Sequence, residues 1–501
     1  MAKPPYAPFI WLSLLLIPPL YLTFKKKKQN KQLPPTPSTL PILGNWHQLG
    51  QLIHQSYCQL SKKYGPVMLL RLGQIPVLVV SSAEAASNVL KVNDLSCCSR
   101  PYLAGADRLS YNFLDVALAP YGDHWRHMKK LIVLNLFSLK RVQSFQFLRE
   151  EEVELLVNSI SATETPIDLT EKLFALVANI TYRMSFGVDR GTNLDRDKFH
   201  QVVHETHAVA GSFSMAELFP FAGWIIDRIT GNHAETIRAF HELDSFFEHA
   251  INDHLKPGRK KERDDIIDVL LRVKEEQAQL GTADFTKNNI KAVLMNLLSP
   301  GTDTAAITLN WAMAELVRNP RVLGKVQDEV RKHVGNKGKV SESDLDKLQY
   351  LKMVIKETFR MHPVGPLLLP RETISHCKIN GYDVDPKTMI QVNVWAIGRD
   401  PTYWKEPEKL YPERFADSSI DYRGQNFELL PFGAGRRMCP GIHMATITIE
   451  YVLANLLYLF DWKFPEGMRK EDMNMEEKVG VSLAIIDKKT PLILVPIKHL
   501  Q

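Results

Sequence analysis

Near the C-terminal end, the run Phe432-Gly433-Ala434-Gly435-Arg436-Arg437-Met438-Cys439-Pro440-Gly441 sets one cysteine in a glycine-rich, doubly basic loop that opens a long apolar segment. Gly433 and Gly435 permit turn dihedrals that other residues resist, and Gly441 lets the following helix approach a flat ligand closely. Arg437 suits an anionic group, and Pro440 suits the first turn of the helix that follows. Backbone N–H groups of the loop and the helix start are placed to hydrogen-bond the sulfur and tune it. A single thiolate held this way fits the iron of a porphyrin, where its electron donation favours O–O cleavage. The competing reading is a buried, inert cysteine.

The spacing F-x-x-G-x-R-x-C-x-G resembles the haem-binding signature of the cytochromes P450, with every fixed position matched. Glu357-Thr358-Phe359-Arg360, then Pro412-Glu413-Arg414-Phe415, then the cysteine loop repeat that family's order of motifs. The resemblance implies heme b (iron protoporphyrin IX), with Cys439 as iron ligand and Phe432, Arg437 and Gly441 beside it. It also implies that Glu357, Arg360 and Arg414 form a buried ionic network with a structural role. Pro300-Gly301-Thr302-Asp303-Thr304 resembles the family's oxygen-activation motif, which makes Asp303 and Thr304 the catalytic pair that delivers protons. Pro300 departs from that pattern. It removes an N–H from the turn and disfavours helical dihedrals at Ser299, which leaves two readings: a wider groove with an outcome such as desaturation or ring closure, or a proline tolerated in an already kinked helix. Trp125-Arg126-His127-Met128-Lys129 resembles the W-x-x-x-R propionate motif, with Lys129 keeping the charge but losing the two-pronged geometry. Arg371 and Arg437 complete the expected propionate set.

Charge is unevenly placed. Residues 1 to 31 hold six lysines and no acid, and without them the remaining 56 basic residues equal the 56 acids, so nothing points to nucleic acid. Residues 7 to 24 are uncharged and close to the roughly 20 residues that span a bilayer, and Lys25 to Lys28 follow. A run that ends in Phe24 and a lysine cluster, where a cleaved signal would end in small residues, favours an uncleaved anchor with the body on the cytoplasmic side. Five scattered cysteines do not form a disulfide framework and fit a reducing compartment. The glycosylation triplet Asn179-Ile180-Thr181 is then out of reach of its enzymes.

The expected organisation is a membrane anchor over 1–24, a basic and proline-rich hinge over 25–45, and a haem domain over 46–501. Pro66 to Ser81 reads as a small antiparallel sheet. Residues 142–160, 167–186, 235–255 and 286–318 read as helices, and 256–263 as a solvated loop. Phrases such as Ala119-Pro120-Tyr121-Gly122-Asp123 look most like the plant microsomal clan of specialised metabolism. That likeness implies a single-pass protein of the endoplasmic reticulum. Its electrons would come from NADPH through NADPH–cytochrome P450 reductase, docked on a basic face around Lys129, Lys130, Lys140 and Arg141, with cytochrome b5 as a further donor.

By the same analogy the pocket is lined from Leu103 to Asn112, from Gly211 to Phe221, near Leu297, from Val364 to Leu369 and near Val481 to Leu483. These largely apolar segments suggest a terpenoid or polycyclic substrate. Asp107 and Glu217 could instead pair an amine, which makes an alkaloid oxidase or cyclase the alternative. Two further rivals are an isomerase or dehydratase of the same fold that needs no O2, and a non-catalytic haem scaffold.

Overall fold

The computed structural model describes residues 31–499 except 188–198, 200, 204, 207, 208, 210–213, 220, 221, 260–262, 280, 282–284 and 481–484. The anchor expected over 1–24, the lysines at 25–28, and the pocket segments 211–213, 220–221 and 481–483 lie outside the described residues.

The organising element is the helix Lys287–Arg318, apolar on most of its faces and buried along most of its length. Thr286 and Asn289 cap it reciprocally, the Thr286 N–H and hydroxyl both donating to Asn289 Oδ1 at 2.9 and 2.7 Å. It packs against Leu169–Phe186 on one side and Ile442–Leu459 on another. The chain runs helically through Pro300. Ile442–Leu459 is apolar enough to cross a bilayer, but most of it is buried in the core.

The expected helices are found with shifted ends, each for a local reason. The 167–186 segment begins as a short strand, Ile167–Asp168, paired with Ile493 and Leu494. Asp168 then caps the helix Leu169–Phe186 by accepting the Glu171 N–H at 3.0 Å. The 142–160 segment is two helices, Leu139–Ser144 and Gln146–Ser161, turning at buried Phe145. The 235–255 segment starts earlier, at Asn232, after Gly231 in the left-handed region. The 256–263 segment is the expected solvated loop at Lys256, Pro257, Gly258 and Arg263, with residues 260–262 outside the described ones and Arg259 alone of the described five half-buried. Arg259 bridges Asp265 and Asp268 at 2.9 Å each, and Arg263 lies over the Phe147 ring.

Val67–Leu72 and Ile75–Val80 form the expected antiparallel hairpin, turning at Gly73 with φ +58°. The sheet they belong to is mixed, however: Ile75–Val80 also pairs in parallel with Met389–Val392, which pairs with Arg371–Glu372. The parallel pairing starts at Val77, so Pro76 needs no N–H there. The extended segment after Gln32 lies on this sheet, its Pro35 carbonyl accepting from the Leu69 N–H at 2.9 Å. All five cysteines are free thiols.

Behind the cysteine loop, the helix Gln349–Met361 carries Glu357 and Arg360, both buried. Arg360 donates twice to Glu357 at 2.8 and 2.9 Å, and Arg414 once at 3.0 Å.

Candidate active site

The cysteine loop is held by its own backbone. The Cys439 N–H donates to the Phe432 carbonyl at 3.0 Å, and Gly433 and Gly435 adopt φ +67° and +70°. Glycine is demanded at 435, where a Cβ would lie 2.3 Å from the Leu90 carbonyl. Phe432 meets Phe359 with ring centroids 5.2 Å apart, which anchors the loop to the helix bearing Glu357. Gly441 caps Ile442–Leu459, so Pro440 stands before the cap and not in the first turn expected of it.

Cys439 opens onto a cavity of about 710 Å³. Its side chain is accessible, yet protein surrounds it, so the accessible face is internal. Burial pushes the thiol up, opposed by the Gly441 N–H directed at the sulfur. The residues expected to hold the haem or deliver protons line this one cavity: Cys439, Phe432, Arg437 and Gly441 from the loop, Trp125, Lys129 and Arg371 from elsewhere, and Asp303 and Thr304 from the central helix.

The cations gather on one side. Arg437 donates to the carbonyls of Cys98, Val116 and Ala119 at 2.8, 3.1 and 2.6 Å and lies over the Trp125 ring, 4.2 Å from its centroid. The Trp125 indole N–H donates to Val116 at 3.0 Å, and Lys129 donates to the Arg436 carbonyl. Arg371 divides itself between Asp94 and the Ala434 carbonyl, at 2.7 Å each. Arg100 is a fifth member that sequence reasoning missed. It is buried, faces the cavity, and among the described residues donates only to the carbonyls of Ala117, Leu369 and Pro370. Its only signal in the sequence was a lone Arg100-Pro101 before the loop that supplies the Ala117 carbonyl, the Leu369 and Pro370 carbonyls coming from a distant segment.

Burial, and then repulsion from Arg437, lowers Arg100 and Lys129. Arg437 is brought down to about 10, again chiefly by burial, with Arg371 adding to it. Cations crowded in this way at a cavity wall fit a bound dianion such as the two carboxylates of a porphyrin.

Other features fit the same group. A Cβ on Gly441 would project to 3.9 Å from the Cys439 sulfur, into the space a flat ligand needs. A buried thiol with a raised pKa becomes a thiolate only beside a positive charge, which a bound metal ion supplies.

A family model for cytochrome P450 matches residues 34–492. The chain belongs to the cytochrome P450 family. Among similar curated proteins are three from Arabidopsis thaliana, of which Cytochrome P450 71B36 is 50% identical over 502 residues, spanning 99% of this chain and 100% of that protein. Cytochrome P450 71B37 is 51% identical over 500 residues, with 99% of each chain covered. Cytochrome P450 71B10 is 50% identical over 499 residues, with 98% and 99% covered. This P450 is therefore a monooxygenase of the plant 71B type, which brings with it haem, electrons from a redox-partner reductase, and a small hydrophobic substrate.

Opposite the cysteine, the P450 cavity is closed by the central helix. Thr304 donates to the Pro300 carbonyl at 2.9 Å, and Thr181 of Leu169–Phe186 donates to the Gly301 carbonyl at 2.8 Å. The side chain of Asn296, one turn before Pro300, accepts the N–H groups of Val116 and Ala117 at 2.9 and 3.0 Å and donates to buried Asp115. That ties the helix to the loop whose carbonyls hold Arg100 and Arg437. The two variable-loop acids part company. Asp107 accepts from the Tyr102 hydroxyl at 3.3 Å and does not line the cavity, whereas Glu217 does. Burial pushes Glu217 up to about 7, only partly offset by the Gly105 N–H.

Proposed function

We propose that this P450 oxidises an uncharged polycyclic or terpenoid-like plant metabolite, by hydroxylation or by desaturation or cyclisation. The observation that carries the substrate reading is the cavity wall, where Leu103, Leu109, Val364, Leu367, Leu368 and Ile486 present hydrocarbon and exclude water. Cys439 is the iron ligand. Trp125, Lys129, Arg371 and Arg437, joined by Arg100, hold the propionates, while Phe432 and Gly441 shape the loop against the ring. The haem, when bound, supplies O2 activation and insertion of one oxygen atom. The other oxygen leaves as water, so each hydroxylation consumes two electrons and two protons. Thr304, its hydroxyl proton engaged on the Pro300 carbonyl, has lone pairs free to accept and a rotor that can pass a proton onward. Asp303 moves protons inward from solvent.

The electrons come from NADPH through NADPH–cytochrome P450 reductase, with cytochrome b5 as a further donor. The basic face supporting that reading carries exposed Lys130 and Lys140, with Arg436 at the cysteine loop half-exposed beside Lys129. The protein is anchored in the endoplasmic reticulum by residues 1–24, with hinge 25–45 and a cytosolic haem domain over 46–501. Support for membrane contact comes from the helix Gly223–Ile229, which exposes Trp224, Ile225, Ile226 and Ile229.

Glu217 favours a second reading, an alkaloid substrate whose amine the half-buried, cavity-lining carboxyl would receive. The deciding experiment reconstitutes the P450 with reductase, NADPH and O2 and screens neutral terpenoids and polycyclics against basic amines, reading haem spectral shifts and products. Binding and turnover confined to basic amines would overturn the first reading.

A further inference from the structure

Thr181 closes the triplet Asn179-Ile180-Thr181, yet its hydroxyl is not offered to solvent. The residue is buried in Leu169–Phe186, lines the cavity, and directs Oγ1 to the Gly301 carbonyl at 2.8 Å, an ordinary O–H···O length. In a regular helix that carbonyl serves only the N–H four residues on, here Ala305. We infer that Thr181 is a positioning residue that fixes the helical turn bearing Asp303 and Thr304. The inference rests on the reading that this pair delivers protons.

Several perturbations meet in that turn. Pro300 has no N–H, so the Asn296 carbonyl loses its axial donor. The Pro300 carbonyl is shared with the Thr304 hydroxyl, and the Gly301 carbonyl with the Thr181 hydroxyl. Side-chain donors inserted into the helix ladder lengthen the axial bonds they share and bend the helix. The first two come from the central helix itself; Thr181 alone comes from a neighbouring helix, so it fixes the turn relative to the rest of the fold. Gly301 is matched to it. A Cβ at 301 would lie 3.0 Å from Thr181 Cγ2 and 3.3 Å from Oγ1. A side chain at 301 would therefore crowd Thr181, which would have to give by a few tenths of an ångström.

Thr181→Val keeps the shape and removes the donor, Thr181→Ser keeps the donor, and Thr181→Ala is a second donor-less variant that must agree with Val. The holoenzymes are assayed with reductase and NADPH for hydrogen peroxide released per O2 consumed. Amide hydrogen exchange is followed over residues 302–306. Without the shared donor the Ala305 N–H regains the whole Gly301 carbonyl. Exchange there should slow by about twofold to tenfold, the range one hydrogen bond commands. The peroxide fraction should rise with it, Thr181→Ser should resemble the parent, and the carbon monoxide spectrum should stay intact. Combining Thr181→Val with Thr304→Ala should release no more peroxide than Thr304→Ala alone. If Thr304→Ala raises peroxide while both donor-less variants match the parent in peroxide and exchange, the inference is overturned. If Thr304→Ala itself matches the parent, the proton-delivery reading falls instead, and amide exchange still decides whether Thr181 shapes the turn.

Discussion

Replacing Glu357 with Gln keeps the shape of a fully buried side chain and removes the one negative charge between two cations. The parent carboxylate accepts two hydrogen bonds from Arg360, one from Arg414 and one from the Tyr411 N–H, all between 2.8 and 3.0 Å. What remains for Arg360 is the Gly398 carbonyl at 2.6 Å, and for Arg414 the Lys405 carbonyl at 2.9 Å with longer contacts beyond. Neither carbonyl carries a formal charge. Removing one partner of a buried pair costs about 3–5 kcal/mol, against a total stability of about 5–15 kcal/mol for a folded domain. The exposed pair Lys489–Glu476, at 2.7 Å with both side chains more than half exposed, supplies the control. Breaking it should cost almost nothing, because solvent screens an exposed pair. Urea unfolding of purified holoenzyme, followed by haem absorbance and tryptophan fluorescence, should show a large drop in midpoint for Glu357→Gln and almost none for Glu476→Gln. Equal midpoints for the two variants would mean that the carbonyls alone balance both arginines, and the network argument would fail.

Deleting residues 1–24 should move the protein toward the soluble fraction with haem intact, leaving some membrane association through Trp224 and Ile229; loss of haem from a folded, soluble truncation would contradict the proposed boundary. If the substrate is a basic amine, its affinity should strengthen as pH rises through about 7, because Glu217 is raised to that value and ionises there. Glu217→Gln should flatten that profile, and titration by haem spectral shift reads both. Pro300→Ala should restore the Asn296 carbonyl's donor and change product ratios or coupling without altering the carbon monoxide spectrum. Products, coupling and affinity all matching the parent would make Pro300 purely structural.

The residues at the cavity were legible because haem chemistry concentrates them in short local runs. A thiolate loop needs Gly435 beside Cys439 whatever the rest of the chain does, and Asp303-Thr304 needs only one turn of helix. Arg100 was not legible, since what marks it is burial against carbonyls from residues 117, 369 and 370 and repulsion from Arg437, all set by tertiary contact. Thr181 looked like the closing residue of a glycosylation triplet whose acceptor is Asn179, and only helix packing reveals Gly301 as its partner. Asp107 and Glu217 looked equivalent as loop acids, but one turns to Tyr102 and the other into the cavity. The hairpin at 67–80 could be read from its alternation and Gly73, whereas its parallel partner Met389–Val392 is more than three hundred residues away. Helix ends moved where caps decide them, as at Asp168.

The central claim is that Cys439 holds a haem iron as its thiolate ligand. Carbon monoxide difference spectra of the reduced parent and of Cys439→Ser test it directly. The parent should give the long-wavelength Soret band of thiolate-ligated haem, and the serine protein should lose that band together with all NADPH- and O2-dependent turnover, since a serine oxygen is a poor soft ligand. A serine protein with the parent's spectrum would contradict the account.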